Sequence, residues 1–339
     1  MEEMMIDIIM PLYNAGNFIT QTLQKLEKQS MKDFNLIIIN DGSSDKSQTI
    51  VENYIKHSRM TITLINQENQ GEGGARNTGL QHITAKYVLF LDCDDWLHKS
   101  ALEIFVNEME KGDIDAVISS YSSVNMVGEV LKKYNYNYHE ISNSKEIISK
   151  ILYKEIPIGI GNTMIKSEIL KKTELKFGKY KFGADFNFFA KLSFYLKKIR
   201  VIPNNLFFYV QNQQSVMHKK FSKQRIAGIE SVEDIEDFYR KIGKRDLFKY
   251  ELRYAYNREL MSLYVNYIQS DGNCFEVRKL LKSKFKFWEL DLKGIFLLET
   301  KFKYRVLLFT ISLNIFKKIY FLYKRLANQK RSLKKNEKQ

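Results

Sequence analysis

Tyr87-Val88-Leu89-Phe90-Leu91-Asp92-Cys93-Asp94-Asp95 joins five apolar residues to an acidic run. The apolar part predicts a strand buried on both faces, and the carboxylates follow in the turn that leaves it. Toward the N-terminus the same apolar pattern recurs three times. Ile6-Asp7-Ile8-Ile9-Met10 ends at Pro11, Phe34 to Ile39 is a second run, and Thr61 to Ile65 is a third. Helical spacing separates them: Phe18, Ile19, Leu23 and Leu26 within Ala15 to Gln29, then Ile50, Val51, Tyr54 and Ile55 after Ser44, then Gly74 to His82. Apolar strands alternating with helices predict an α/β fold with a mostly parallel central sheet covered on both faces.

Toward the C-terminus the pattern loosens. Ala116 to Ser123 and Val130 to Tyr138 read as strands, and Ser144 to Tyr153 and Phe186 to Leu196 as helices. Ile199 to Val201 and Leu206 to Val210 read as two short strands, and from about Ser222 the signal is helical. Three regions result: an α/β domain over 1–215, a helical region over 216–300, and a basic amphipathic tail over 301–339.

The composition excludes several classes. With 339 residues, 44% hydrophobic and 13% aromatic, the chain has material for a packed core, so disorder and collagen-like repeats are ruled out. Two cysteines, Cys93 and Cys274, make no disulfide framework and suggest a reducing compartment. No signal peptide and no apolar run long enough for a transmembrane helix is visible, which predicts a cytoplasmic protein. The formal charge of +15 calls for a polyanionic partner: nucleic acid, an anionic membrane surface or a phosphorylated substrate.

In an open parallel sheet, ligands bind at the carboxyl ends of the strands. Polar clusters follow all four early strands: Pro11-Leu12-Tyr13-Asn14, Asn40-Asp41-Gly42-Ser43-Ser44-Asp45, Asn69 to Asn77, and Asp92-Cys93-Asp94-Asp95. The glycines at 71 and 73 do not make a dinucleotide fingerprint, because position 76 is arginine and the loop follows a third strand. No Walker P-loop is present. Asp92 and Asp94, two residues apart in a turn, can reach one hard cation, and Mg2+ or Mn2+ held by two carboxylates plus substrate phosphates matches that economy. The competing role for an acidic residue here is capping a helix that starts near Leu97, which suits Asp95 best.

Pro11-Leu12-Tyr13-Asn14, Asn40-Asp41-Gly42-Ser43, Ala75-Arg76-Asn77-x-Gly79 and Phe90-Leu91-Asp92-x-Asp94-Asp95 together resemble family-2 glycosyltransferases. These are inverting enzymes with the GT-A nucleotide-diphospho-sugar fold, and the resemblance covers roughly residues 5 to 215. It implies a UDP-sugar donor, with Pro11, Tyr13, Asn14, Asp41, Asn69, Gly73, Arg76 and Asp92 around it. Tyr13 would lie against uracil, Asp41 would accept its N–H, and Arg76 would contact the nucleotide or pyrophosphate. Asp94 and Asp92 would hold Mn2+ or Mg2+, with His218 as a further metal or phosphate ligand. The family's general base is the Asp of Glu-Asp-x-x-Phe. Gly183-Ala184-Asp185-Phe186-Asn187-Phe188 matches it with Ala184 in place of Glu, so Asp185 is the expected base. Asn40, where the family often has Asp, is a milder departure. A Gln-x-x-Arg-Trp motif is absent, which implies one sugar per binding event.

Residues 301–339 carry twelve lysines and arginines against the single Glu337, so +11 of the +15 sits there, interleaved with aromatic and aliphatic residues. That predicts amphipathic helices on an anionic membrane and a peripheral location, rather than nucleic-acid binding. The implied acceptor is a saccharide or lipid-linked oligosaccharide in bacterial surface-polysaccharide synthesis. The alternatives are an inactive GT-A scaffold subunit, a sugar nucleotidyltransferase or a nucleic-acid binder.

Overall fold

The computed structural model describes residues 4–211 and 223–269, together with 279, 315 and 317–322. The chain divides into two compact units, residues 1–219 and 220–339. The first unit opens with β1 (Ile6–Leu12), α1 (Ile19–Glu27), β2 (Phe34–Asp41), α2 (Ser47–Ile55), β3 (Thr61–Gln67), α3 (Gly71–Leu80) and β4 (Tyr87–Phe90). There follow β5 (Trp96–Leu97), α4 (Ala101–Glu110), β6 (Ala116–Val124), β7 (Val130–Tyr134), β8 (His139–Ile141) and α5 (Ser144–Leu152). The unit closes with β9 (Thr163–Lys166), α6 (Ser167–Thr173), α7 (Ala184–Leu192) and β10 (Ile199–Val210).

One sheet runs in the order β3-β2-β1-β4-β9-β6-β10-β5, with β7 on β6 and β8 on β10. The pairs of β1 with β2 and β4, of β2 with β3, and of β6 with β10 are parallel. β9 enters antiparallel between β4 and β6. This is the GT-A arrangement. The apolar runs explain the burial. β1 is buried at every position, so its alternate side chains feed two cores. Ile8, Met10 and Leu12 pack with Leu23, Leu36 and Phe105, whereas Ile9 packs with Phe90, Ile118 and Phe188. Asp7, buried in β1, accepts hydrogen bonds from the Thr84 and Ala85 amides at 2.6 and 2.8 Å, which fixes the entry to β4.

Several elements differ from expectation. The two short strands near 200 are one strand, β10, whose register against β6 shifts around Pro203. Proline lacks the N–H a regular ladder needs, so it sits at the irregularity. The strand expected over 130–138 stops at Tyr134, where β7 leaves its pairing with β6, and a separate β8 at His139–Ile141 pairs with β10. The glycine-rich stretch is the first turn of α3 rather than a loop. The second unit contains α8 (Ala227–Lys241), which buries Ile229, Val232, Ile235 and Tyr239, and α9 (Lys249–Gln269). Most of 301–339 lies outside the described residues, and residues 317–322 are helical. No helix among the described residues is long and apolar enough to cross a membrane.

Candidate active site

The parallel register sets the polar clusters side by side. Leu12 lies opposite Asn40, Asn40 opposite Asn66, and Asp41 opposite Gln67. β4 joins the same edge through Ile9 and Phe90, so Asp92 leaves the sheet there too. Pro11 is buried within β1 opposite Ile39, and Tyr13 beyond it is exposed. Asn14 adopts a φ of 48°, in the left-handed region that asparagine tolerates. Its Oδ1 accepts from the Ser44 amide at 2.8 Å, and its own amide donates to Ser43 Oγ at 3.2 Å. Asp45 adds a second tie, accepting from the Gly16 amide at 3.0 Å and the Ser47 amide at 2.9 Å. Burial opposes the Asp45 charge, but a hydrogen bond from the Ser47 hydroxyl, together with these two amides, outweighs it and holds its carboxyl below the usual range. The first two loops therefore form one knit surface, and Asn14 spends its side chain on holding it.

Asp41 is buried. Its Oδ1 accepts from Gln67 Nε2 at 2.6 Å and from the Gln70 amide at 2.8 Å. Asn69 Nδ2 donates to the Asp41 carbonyl at 3.0 Å. Gly42 has a φ of +70°, and a Cβ there would lie 3.1 Å from the Asn69 amide nitrogen, so the turn after Asp41 is a glycine position. Asn69 thus shapes the Asp41 turn rather than pointing away from it.

Arg76 is 1% exposed and gathers three carboxylates. Nη1 donates to Asp185 Oδ1 at 2.9 Å, Nη2 donates to Asp92 Oδ1 at 2.7 Å, and Nη2 also meets Glu72 one helical turn earlier. The guanidinium stacks 5.3 Å from the Phe177 ring centroid. Arg76, expected at the nucleotide, is here the bridge between the acidic turn after β4 and the start of α7. Asp185 is not a cap: Gly183 occupies the N-cap and no side chain caps that helix. The same helix–segment contact is secured by Asn77. It donates to the Phe177 carbonyl at 2.9 Å and accepts from the Phe177 amide at 2.7 Å. A Cβ on Gly73 would come within 2.8 Å of the Gly178 carbonyl oxygen, so this glycine lets α3 close on that segment. Phe177 in turn stacks on Phe188 at 3.9 Å, the aromatic of the Asp-x-x-Phe stretch.

Glu72, Asp92 and Asp185 share one guanidinium while Asp94 and Asp95 crowd the same turn, and the excess negative charge shows. Burial and then Asp92 push the Asp94 carboxyl up to about 6. Partial loss of solvent raises the half-exposed Asp185 above the usual carboxylate range, Arg76 pulls it back, and Asp92 adds to the rise. Glu72 is pushed up to about 7: the pull of Arg76 is outweighed by lost solvation and by Asp92 and Asp185. Asp94 pairs with no cation among the described residues. Asp95 is not the expected cap. Residues 96–97 are drawn into β5 against β10, so α4 begins only at Ala101. Asp95 instead is buried and accepts from the Val210 amide at 2.8 Å, tying the acidic turn to the end of β10.

The donor set fits a divalent cation that takes two protein carboxylates. Among the described residues no three His, Cys, Asp or Glu side chains are arranged to hold a metal ion. Asp92 and Asp94 would therefore need phosphate or water oxygens to complete a shell, as Mg2+ and Mn2+ commonly do. His218 lies outside the described residues. Sequence reasoning missed Glu72, Phe177 and the clamp made by Asn77. Asn77 stood inside a quoted motif, but its partner lies a hundred positions away.

Residues 7–173 match the family described as Glycosyl transferase family 2. The chain is 30% identical over 207 residues to a teichoic acid poly(glycerol phosphate) polymerase of Staphylococcus epidermidis, covering 60% of this chain and 28% of that protein. It is 27% identical over 248 residues to the poly(ribitol-phosphate) beta-N-acetylglucosaminyltransferase TarP of Staphylococcus aureus, covering 72% of this chain and 74% of that protein. The chain thus spans less than a third of the first relative's length. Among solved structures, S. aureus TarS 1-349 aligns with a TM-score of 0.68 at 17% identity, over 95% of this chain and 92% of that one, which shows the shared fold.

Proposed function

This chain belongs to glycosyltransferase family 2 through residues 7–173, and from that premise we propose that it moves one sugar from a UDP-sugar to a saccharide or polymer acceptor, with inversion. The observation that carries the reading is the Arg76 bridge. One buried guanidinium holds Asp185 and Asp92 at 2.9 and 2.7 Å, so the candidate base and the candidate metal turn share one anchor.

The exposed Tyr13 ring packs on uracil, flanked by Pro11. Asp41, with Oδ1 already fixed by Gln67 and Gln70, offers Oδ2 to the uracil N–H. Asn14, Asn69 and Gly73 shape the loops around the donor. Asp92 and Asp94 are the residues that would hold Mn2+ or Mg2+, and the cation would supply charge neutralisation for the leaving diphosphate. Asp185 takes the proton from the acceptor hydroxyl as that oxygen attacks the anomeric carbon, and its raised pKa makes it a better proton acceptor than a solvated carboxylate. Arg76 keeps Asp185 oriented without contacting the substrate. Attack opposite the departing UDP inverts the configuration.

The transferred group is a hexosyl or N-acetylhexosaminyl unit. TarS 1-349 has been solved with UDP and with UDP-GlcNAc, and TarP is named for N-acetylglucosaminyl transfer, which favours the same donor class here. The acceptor would be a lipid-linked saccharide or surface polymer, worked on at the cytoplasmic face of the membrane, with 301–339 holding the protein there and His218 as a further metal or phosphate ligand. The test is turnover of a UDP-sugar panel with Mn2+ by the full chain. Release of UDP with one of them supports the reading. No binding and no release with any of them overturns it.

A further inference from the structure

Among the described residues of the first unit, the exposed large hydrophobic side chains are Tyr13 and five from one stretch: Met126, Val127, Val130, Leu131 and Tyr138. Val127 is 79% exposed, Leu131 52% and Val130 48%. Scattered exposed apolar residues are ordinary, but four of these, Met126, Val127, Val130 and Leu131, crowd one hairpin and mark a contact surface. The hairpin is built to present them. Asn125 ties the turn together: its Oδ1 accepts from the Val127 and Glu129 amides at 3.1 and 2.9 Å, and its Nδ2 donates to Glu129 Oε2 at 2.8 Å. The register between β6 and β7 then slips, pairing Val130 with Val124 and Lys132 with Ser123. The residue between them, Leu131, is the extra one, so the inward–outward alternation breaks and two consecutive apolar side chains are both exposed.

Charge and position narrow the partner. Lys132 and Lys133 follow the apolar tip directly and pair with no carboxylate among the described residues; Lys132 lies 4.2 Å above the Tyr134 ring. The one acidic side chain of the tip, Glu129, is engaged by Asn125. The turn lies beside the acidic site: a Cβ on Gly128 would be 3.5 Å from the Trp96 ring, two residues beyond Asp94. Val124, Trp96 and Val210 form one cluster beneath it.

We propose that the β6–β7 hairpin is a membrane-contact element of the catalytic unit. Met126, Val127, Val130 and Leu131 enter the headgroup–acyl boundary of an anionic bilayer, and Lys132 and Lys133 meet the lipid phosphates. This places the carboxylate edge of the sheet against the bilayer, where a lipid-linked acceptor would be presented. The bilayer contact itself does not depend on the transfer chemistry; only its use for acceptor delivery rests on the function proposed above.

The experiment is hydrogen exchange of the full chain, read at peptides covering 125–134, with vesicles of phosphatidylglycerol and phosphatidylcholine and with phosphatidylcholine alone. Slower exchange in this stretch on the anionic vesicles is expected, with Val127→Asp/Leu131→Asp abolishing it and weakening vesicle binding at least about tenfold. UDP binding should be unchanged in that variant, which separates this inference from the nucleotide reading. Unchanged exchange at 125–134 while the chain is vesicle-bound would overturn it. So would protection that rises with protein concentration without lipid, which would assign the β7 edge to a second copy of the chain. Protection by free saccharide alone would also count against it.

Discussion

Replacing Arg76 with methionine removes the one cation shared by Glu72, Asp92 and Asp185 and leaves their carboxylates facing one another. Breaking a buried ion pair from one side costs about 3–5 kcal/mol. Here the Arg76 side chain is fully buried but its partners are not: Asp185 is half-exposed and Asp92 about a third exposed, so both can turn toward water. Solvent screening lowers the expected cost to about 2–3 kcal/mol. For a unit of this size that is a fall in Tm of about 4–12 °C. Arg76→Lys should recover part of the stability but little of the transfer rate, because an ammonium cannot span both carboxylates as a planar fork does. The assay pairs thermal denaturation with UDP release from the donor. UDP affinity should change far less than kcat, since Arg76 acts through Asp185. An Arg76→Met protein with unchanged Tm and unchanged turnover would refute the bridge.

Asp94→Asn should raise the Tm of the metal-free protein while abolishing the extra stabilisation that Mn2+ gives with UDP. The Asp94 carboxyl is lifted from 3.8 to about 6, so its ionised form burdens the native state by about 1–3 kcal/mol at neutral pH, and that burden is relieved as pH falls from about 6 toward 4. Titration calorimetry of Mn2+ with UDP should show affinity falling by about tenfold per pH unit below about 6, because the cation must then displace a proton; a flat profile would contradict this. Asn77→Ala leaves a backbone N–H and carbonyl of Phe177 without partners, and denaturant unfolding should show a loss of about 1–3 kcal/mol. Gly73→Ala drives a methyl toward the Gly178 carbonyl, and should lower stability by about 1–3 kcal/mol with turnover falling as the segment before Asp185 shifts.

The first half of the fold was legible because β1, β2 and β4 are covered on both faces, and such strands read as unbroken apolar runs. β5 and β9 were not, since two and four residues carry no period of their own; they exist by pairing with β10, and with β4 and β6. Pro203 masked the continuity of β10 for the complementary reason, breaking the pattern where the ladder tolerates a slip. In the site, strand-end residues were legible by position along the chain. What they contact was not. Arg76 finds Asp185 across 109 positions, and Asp95 finds the Val210 amide across 115, and neither pairing leaves a local signal. Motif residues therefore divided into those that face the open edge, such as Tyr13 and Asp94, and those that hold the edge together, such as Asn14 and Asn77.

Asp185→Asn tests the central claim most directly, because it keeps shape and removes the proton acceptor. UDP binding with Mn2+ should match the unmodified chain, the hydrogen bond from Arg76 should survive on the amide oxygen, and transfer to the acceptor should fall by at least about a hundredfold. Transfer at the unmodified rate, with UDP binding intact, would place the base elsewhere and contradict the account.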